Sequence, residues 1–131
     1  MNSRQNISSG TSWESLAGYS RAVRLGPFIQ VSGTTATDEN GEVVGLGDPR
    51  AQTVYIIKKI ERALQQAGAS LKDVVRTRIY IINLEHWETV SRAHGEYFSQ
   101  IRPANTLIQV AGLIGEGYLV EIEADALVLT P

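Results

Sequence analysis

Apolar side chains recur every three or four residues in the middle of the chain, and this spacing predicts a first amphipathic helix. Asp48 is placed as its N-cap, and Pro49 suits the first helical position, where no N–H is needed. Gly68 is expected to end the helix in a left-handed conformation, with one further turn over residues 70–73. The apolar stripe consists of Val54, Ile57, Ile60, Leu64 and Ala67.

A second stretch of helical spacing follows nearer the C-terminus and predicts another amphipathic helix, over roughly residues 85–101. It is expected to end at Arg102 because Pro103 follows, and the residue before a proline avoids helical backbone. Its apolar stripe consists of Trp87, Val90, His94, Tyr97 or Phe98, and Ile101.

Runs of β-branched and aromatic residues on either side of these helices predict strands. Residues 19–25 and 28–34 flank Gly26-Pro27, so we expect a hairpin there. Residues 1–18 are rich in Ser, Asn, Thr and Gly and are expected to form a loose lead-in, with a short strand near residues 5–7. Residues 36–47 are interpreted as a loop. Further strands are expected at residues 74–82, 106–110 and 119–129.

The predicted element order is β-β-β-α-β-α-β-β within 131 residues, a length that suits one domain. We therefore predict a single α+β domain over residues 1–131, a two-layer arrangement with both helices on one face of a mixed sheet. Since the helices can cover only one face, the second face of the sheet is left uncovered within one chain.

This uncovered face carries a mixture of charged and apolar side chains, as the alternation along residues 74–82 and 119–129 shows. Such a mixture is typical of a subunit interface with a polar network. It fits equally a solvated surface whose ion pairs each contribute at most about 1 kcal/mol. The covered side is predicted to hold Val75, Thr77, Ile79, Ile81, Val120, Ile122, Ala124, Ala126 and Val128, and the uncovered side Val74, Arg76, Arg78, Tyr80, Ile82, Glu121, Glu123, Asp125, Leu127 and Leu129.

Composition narrows the function classes. Twelve Lys and Arg against fourteen Asp and Glu give a net charge of -2, so there is no basic excess for nucleic acid. The absence of cysteine excludes disulfides, thiolate metal sites and cysteine nucleophiles. The apolar run at residues 79–82 is far too short to span a membrane, and the N-terminus lacks an apolar signal segment. We expect a cytoplasmic protein with no nucleic-acid or membrane partner.

The candidate chemical groups are few. His86 and His94 are eight residues apart, about 80° around a helix, which does not match the spacing of a helical zinc pair, so no metal is expected. His94 is interpreted as a hydrogen-bonded histidine at the edge of the core. Arg76 and Arg78 could bind an anion or neutralise neighbouring acids. Glu121 and Glu123 look like paired carboxylates, and ion pairing with those arginines is the simpler explanation.

A set of short motifs in a fixed order resembles the RidA/YjgF family, whose members carry the labels endoribonuclease L-PSP and translation initiation inhibitor. The resemblance covers residues 15–129. No single motif is decisive, but the ordered set is specific. The motifs are residues 18–23 (GYSRAV), 29–34 (IQVSGT), 52–53 (QT), 67–75 (AGASLKDVV), 102–104 (RPA) and 120–124 (VEIEA).

The resemblance implies a chorismate-mutase-like fold and a homotrimer whose sheets face the threefold axis, with a small-molecule cleft at each subunit interface. It also implies hydrolysis of reactive enamines and imines to a 2-keto acid and ammonia without a cofactor. Carried over by position, Glu121 would activate water, Tyr19 would contact the substrate, and Ser32 and Gly33 would line the wall.

The chain departs from the family pattern at the position that usually holds the substrate-binding arginine. Asn105 stands there, and asparagine supplies neither the charge nor the forked donor pair. Ser91 replaces a usual asparagine, and His94 replaces a common aromatic residue. We hypothesise that Arg76, Arg78 or His94 lines the cleft and restores the charge for a small, anionic ligand.

Three functions therefore stay open. The first is a hydrolase or deaminase acting on a small imine or enamine. The second is a trimer that binds a small anionic metabolite without turnover, which the loss of arginine at position 105 favours. The third is an RNA-acting protein, which the acidic charge balance disfavours.

Overall fold

The computed structural model describes residues 3–129 and shows a six-stranded sheet with helices packed on it. Two 3₁₀ turns are present, at Leu71–Asp73 and Leu84–His86. The strands are β1 (Arg4–Ile7), β2 (Ala22–Leu25), β3 (Phe28–Thr34), β4 (Val74–Ile81), β5 (Ala104–Gln109) and β6 (Val120–Leu127), and the helices are α1 (Ser12–Ala17), α2 (Pro49–Gln66) and α3 (Trp87–Phe98).

The strands lie in the order β1-β2-β3-β6-β4-β5. All neighbours pair antiparallel except β4 and β5, which are parallel. The predicted α+β class, the mixed sheet and the β2–β3 hairpin are thereby confirmed. The C-terminal strand β6 lies between β3 and β4, so the last element of the chain joins the two halves of the sheet.

Helix α2 forms where the capping residues predicted it. The Asp48 carboxylate accepts a hydrogen bond from the backbone N–H of Ala51 at 3.0 Å, and Pro49 is the first helical residue. Gly68 has φ of 83°, the left-handed conformation expected just past the helix end. The expected turn at residues 70–73 is also present, closed by a capping box between Ser70 and Asp73.

The core lies between the sheet and the helices α2 and α3. Buried isoleucines from α2 pack toward isoleucines of β4 and β6, and burial of each such side chain stabilises the fold by about 1.5–3 kcal/mol. The alternation predicted for β6 is confirmed, because every second residue from Val120 to Ala126 is buried. The largest fully buried apolar side chains are Ile29, Ile56, Ile57, Ile60, Leu64, Ile79, Ile81, Val90, Val120 and Ile122.

Two predictions about the helices were wrong. Residues 12–17, expected within a loose lead-in, form the short helix α1. It has no apolar stripe, since its one buried side chain is that of Glu14, so hydrophobic spacing could not reveal it. Trp87, placed on the apolar stripe of α3, is the first residue of that helix and is 52% exposed, because the preceding residues form a 3₁₀ turn.

The predicted orientation of Val74 and Val75, the first two residues of β4, was also wrong. The register of β4 against β6 shifts between Val74 and Arg76, which marks a β-bulge. A bulge inserts one extra residue, so Val74 packs into the core and Val75 is 50% exposed. From Arg76 onward the predicted alternation is confirmed.

The helices found in residues 3–129 include none that is both long enough and apolar enough to cross a membrane.

Candidate functional site

The uncovered face of the sheet carries a network of charged side chains. The Arg78 guanidinium lies 3.0 Å from Asp125 Oδ2 and 3.5 Å from Glu123 Oε1. The Tyr80 hydroxyl donates to Glu123 Oε1 at 3.0 Å. Hydrogen bonding to Asp125 raises the pKa of Arg78, and partial burial raises the pKa of Tyr80. The sequence prediction that Arg78 neutralises neighbouring acids is thereby confirmed.

Two members of the predicted polar set do not join these ion pairs. Arg76 donates to the Thr106 hydroxyl at 2.7 Å instead of pairing with an acid. Glu121 makes no salt bridge within 4.0 Å among the residues described, so ion pairing with the arginines, the simpler explanation from sequence, was wrong for this carboxylate. Glu121 is therefore half-buried and without an ion-pair partner in the described chain.

The Glu121 carboxylate occupies the space that a side chain at position 33 would need. A Cβ placed on Gly33 would overlap Glu121 Oε2, so the absence of a side chain there admits the carboxylate. Gly33 lies where the register between β3 and β6 shifts, between Val31 and Thr34. Burial raises the pKa of Glu121; nearby Arg21 opposes this effect and Glu123 adds to it. A carboxyl group with a raised pKa holds a proton more readily than an exposed glutamate does, which suits it to exchanging protons with a substrate.

Arg21 is the neighbour that the sequence analysis did not select. Its side chain is 7% exposed, and its Nη2 donates to the Gly33 carbonyl oxygen at 2.8 Å. The guanidinium carbon lies 5.8 Å from the centre of the Tyr19 ring, within the range of a cation–π contact. The signal available in the sequence was a charged residue placed directly before the buried Ala22 at the start of β2.

Ser32 lies in the same region but its hydroxyl is occupied. The Ser32 Oγ donates to the Ser20 carbonyl oxygen at 2.7 Å, so its one hydrogen holds β3 to the segment that precedes β2. The structure therefore brings together Tyr19, Arg21, Ser32, Gly33 and Glu121, which we call the Glu121 cluster.

A second polar cluster lies beneath α3, where Thr77 and His94 are buried and Asn105 is exposed on the edge strand β5. His94 Nε2 lies 2.9 Å from the Thr77 hydroxyl, and the Asn105 amide donates to that same hydroxyl at 2.9 Å. The His94 ring stacks on Phe98 with centroids 4.5 Å apart. Ser91 lies half-buried on the same helix. We call Thr77, His94 and Asn105 the His94 cluster.

The predicted role of His94 as a hydrogen-bonded histidine at the core edge is confirmed. Burial lowers its pKa, so the ring is neutral at pH 7. A neutral imidazole supplies no positive charge, which removes His94 from the residues that could compensate for Asn105 in that way. The Arg78 guanidinium already forms ion pairs with Asp125 and Glu123, and Arg76 donates a hydrogen bond to the Thr106 hydroxyl.

The two clusters lie on opposite faces of the sheet. Glu121 alternates with the buried Val120 and Ile122 and so points to the uncovered face. Asn105 pairs with Thr77, whose buried side chain faces the helices. Strand β4 separates β6 from β5. Within one chain these predicted site residues therefore do not converge on one cleft.

Two other features of the described chain concern metal and ligand binding. A search of residues 3–129 finds no group of three or more His, Asp or Glu side chains placed to hold a metal ion. An open cavity of about 330 Å³ lies along the N-terminal half of α2, lined by residues that include Val44, Arg50, Tyr55 and Lys58. None of the residues selected from sequence lines it.

Comparison with known proteins points to one family. The sequence model of the family described as Endoribonuclease L-PSP matches residues 10–128. The chain is 37% identical to the 3-aminoacrylate deaminase RutC of Acinetobacter baylyi, over 85% of this chain and 87% of that protein. It is 38% identical to a RutC family protein of Pyrococcus abyssi, over 82% of this chain and 84% of the relative.

A solved structure agrees with these sequence relatives. The crystal structure of a Mycobacterium tuberculosis member of the highly conserved YjgF family superposes with a TM-score of 0.88 and 48% sequence identity. The superposition covers 96% of this chain and all of that one (100%).

Proposed function

Since the chain belongs to the RidA/YjgF family, the family of the Endoribonuclease L-PSP model, we propose that it hydrolyses small enamines or imines. The observation that carries this proposal is the Glu121 carboxyl group, which is half-buried beside Gly33, has a raised pKa and has no ion-pair partner among residues 3–129. A relative that is 37% identical is named as a 3-aminoacrylate deaminase, and its substrate is a compound of this class.

The chemistry needs one well-placed acid–base group. Water attacks the imine carbon while Glu121 accepts a proton from that water. The same carboxyl group returns this proton to the nitrogen, which gives a carbinolamine. The carboxylate then moves the hydroxyl proton of the carbinolamine to the nitrogen, so the carbon–nitrogen bond breaks as the carbonyl forms and ammonia leaves. Because burial raises the pKa of Glu121, this carboxyl holds a proton more readily than an exposed glutamate would.

The cleft is proposed to form between copies of the chain. Glu121 and Asn105 point to opposite faces of one sheet, so a site that contains both needs residues of two chains. The uncovered face offers the Arg78–Glu123–Asp125 network and exposed apolar side chains such as Phe28 and Ile108, which suits an interface. We propose a homotrimer with this face toward the threefold axis.

Asn105 supports a second candidate, a trimer that binds a small metabolite without turnover. Its amide is held on the Thr77 hydroxyl and carries no charge to orient a substrate carboxylate. Such a protein would keep the cleft and bind the ligand there, but it would not accelerate hydrolysis of the ligand.

One assay separates the two candidates. Keto-acid formation is followed from 2-iminobutanoate generated by a pyridoxal-phosphate enzyme, with and without the protein, and binding of pyruvate is measured by NMR titration. Acceleration well above the spontaneous rate is the result expected for the hydrolase. Pyruvate binding without faster hydrolysis would support the binding protein and rule out the hydrolase. If the protein neither binds pyruvate nor accelerates hydrolysis, both candidates are contradicted.

A further inference from the structure

The Arg21 guanidinium is a buried charge that the described chain does not balance. Only 7% of the residue is exposed, and no carboxylate in residues 3–129 forms a salt bridge with it within 4.0 Å. Within residues 3–129 its guanidinium donates to the Gly33 carbonyl oxygen, and its Nε is buried with no hydrogen-bond partner there. A guanidinium carries five N–H donors, and buried cations are normally paired. The fold therefore leaves unexplained why arginine occupies this position.

The charged groups near Arg21 do not supply the missing anion. Lys59 adds positive charge: burial, with Arg21 and Arg62 nearby, lowers its pKa to about 8, and its ammonium donates to the Thr35 and Thr37 carbonyl oxygens. Glu14 is held by hydroxyls of Ser8, Ser9 and Thr11. Glu121 interacts with Arg21 only beyond salt-bridge distance.

We infer that Arg21 binds the carboxylate of a small ligand at the Glu121 cluster. This assignment rests on the proposed function, since it places the ligand in the same site, and it goes further by naming the group that recognises the ligand and the ligand's class. Arg21 thereby supplies the positive charge that the uncharged Asn105 does not.

The local geometry suits a short ligand. Gly33 fixes both groups, because its carbonyl oxygen holds Arg21 and its missing side chain admits Glu121. A carboxylate on Arg21 therefore brings the carbon bonded to it toward Glu121. In a 2-imino acid that adjacent carbon is the one that water attacks, so the geometry favours 2-imino acids and short 2-keto acids over ligands with a distant carboxylate.

The test compares binding of pyruvate with binding of its neutral amide, by NMR titration of the full chain. For Arg21→Gln we expect at least a tenfold rise in the Kd of pyruvate and little change for the amide. Glutamine keeps an N–H donor while removing the positive charge. The matched control is Arg92→Gln, which removes an exposed arginine paired with Glu88 on α3 and should leave both affinities unchanged.

Two further readouts keep the inference open to refutation. Arg21→Lys retains the positive charge but loses the pair of parallel N–H donors of the guanidinium. Its affinity for pyruvate should therefore lie between those of wild type and Arg21→Gln. If Arg21→Gln fails to fold, as thermal unfolding would show, wild type against Arg21→Lys decides, and equal pyruvate affinity in that pair overturns the inference. Pyruvate affinity unchanged in a folded Arg21→Gln, or no preference of wild type for pyruvate over the amide, also overturns it.

The 2-iminobutanoate assay on the same proteins separates this inference from the proposed function. Turnover by wild type that Arg21→Gln fully retains leaves the hydrolase intact and removes Arg21 from ligand binding. If wild type shows no turnover but binds pyruvate in a way that depends on Arg21, the hydrolase proposal is contradicted and the anion site at Arg21 is supported.

Discussion

At the scale of single residues, Glu121 is a carboxyl group that is partly buried and has no ion-pair partner in the described chain. Burial disfavours the ionised form, so keeping this carboxylate charged in the folded state costs stability. A side chain that served the fold alone would be paired, as Glu123 and Asp125 are paired with Arg78. The cost is expected where a group is retained for its chemistry.

Replacing Glu121 by glutamine should therefore stabilise the folded chain at pH 7. The folded-state pKa of Glu121 is raised, so the ionised carboxylate opposes folding above that pKa, and this opposition disappears as pH falls through it and below the unfolded value. Urea unfolding should give Glu121→Gln a higher free energy of unfolding than wild type at pH 7 and no advantage at pH 3.5. A less stable Glu121→Gln at pH 7 would contradict the assignment.

The residues of the site were predictable from sequence to different degrees. Tyr19, Ser32, Gly33 and Glu121 came from the resemblance, and the structure places them together. Arg21 lies inside one of the quoted motifs, yet alternation along a strand shows which face a residue takes and not whether its charge is balanced. Whether the charge of Arg21 is balanced can be judged only in the folded chain, where the positions of Gly33 and Glu121 are known.

At the scale of elements, the site depends on an irregularity in β3 as much as on regular strands. The register shift between Val31 and Thr34 sets Gly33 against the Glu121 carboxylate. Such bulges are frequent beside functional sites because they re-aim side chains. The bulge in β4 and the helix α1 escaped prediction for related reasons, since neither follows a hydrophobic period.

Gly33→Ala should lower imine hydrolysis strongly, because the new methyl group displaces the Glu121 carboxylate. Gly112→Ala is the matched control, since a Cβ at position 112 meets nothing within 4 Å, and it should keep the wild-type rate. Initial rates of keto-acid formation, with circular dichroism to establish folding, make the comparison. A folded Gly33→Ala with the wild-type rate would show that the position of Glu121 against Gly33 is irrelevant to catalysis.

At the scale of the whole molecule, one chain holds two halves of the proposed site on opposite faces of its sheet. The sequence predicted the uncovered face and its mixed character, but it left open whether that face meets water or another chain. Phe28 is 63% exposed there, in a strand whose other face is fully buried at Ile29 and Val31. Such exposure is more easily understood if copies of the chain pack on it.

The assembly has a direct test in Phe28→Glu. Sedimentation equilibrium of wild type should give three copies of the 14.3 kDa chain, and Phe28→Glu should shift the population toward the monomer, because a charge would be buried in the interface. Leu46→Glu replaces an apolar side chain that is 76% exposed on the 36–47 loop, away from the sheet face, and should remain trimeric. If wild type is a monomer, no cleft can form between copies of the chain, which would contradict the proposed shared site.

Glu121 is proposed to move the proton during hydrolysis, and the rates of keto-acid formation from 2-iminobutanoate by wild type and Glu121→Gln measure this directly. Loss of a general acid–base group costs about 100-fold or more in rate, so Glu121→Gln should fall toward the spontaneous rate. The exposed Glu39→Gln, on the 36–47 loop, should match wild type. A folded Glu121→Gln that hydrolyses the imine as fast as wild type would contradict the account.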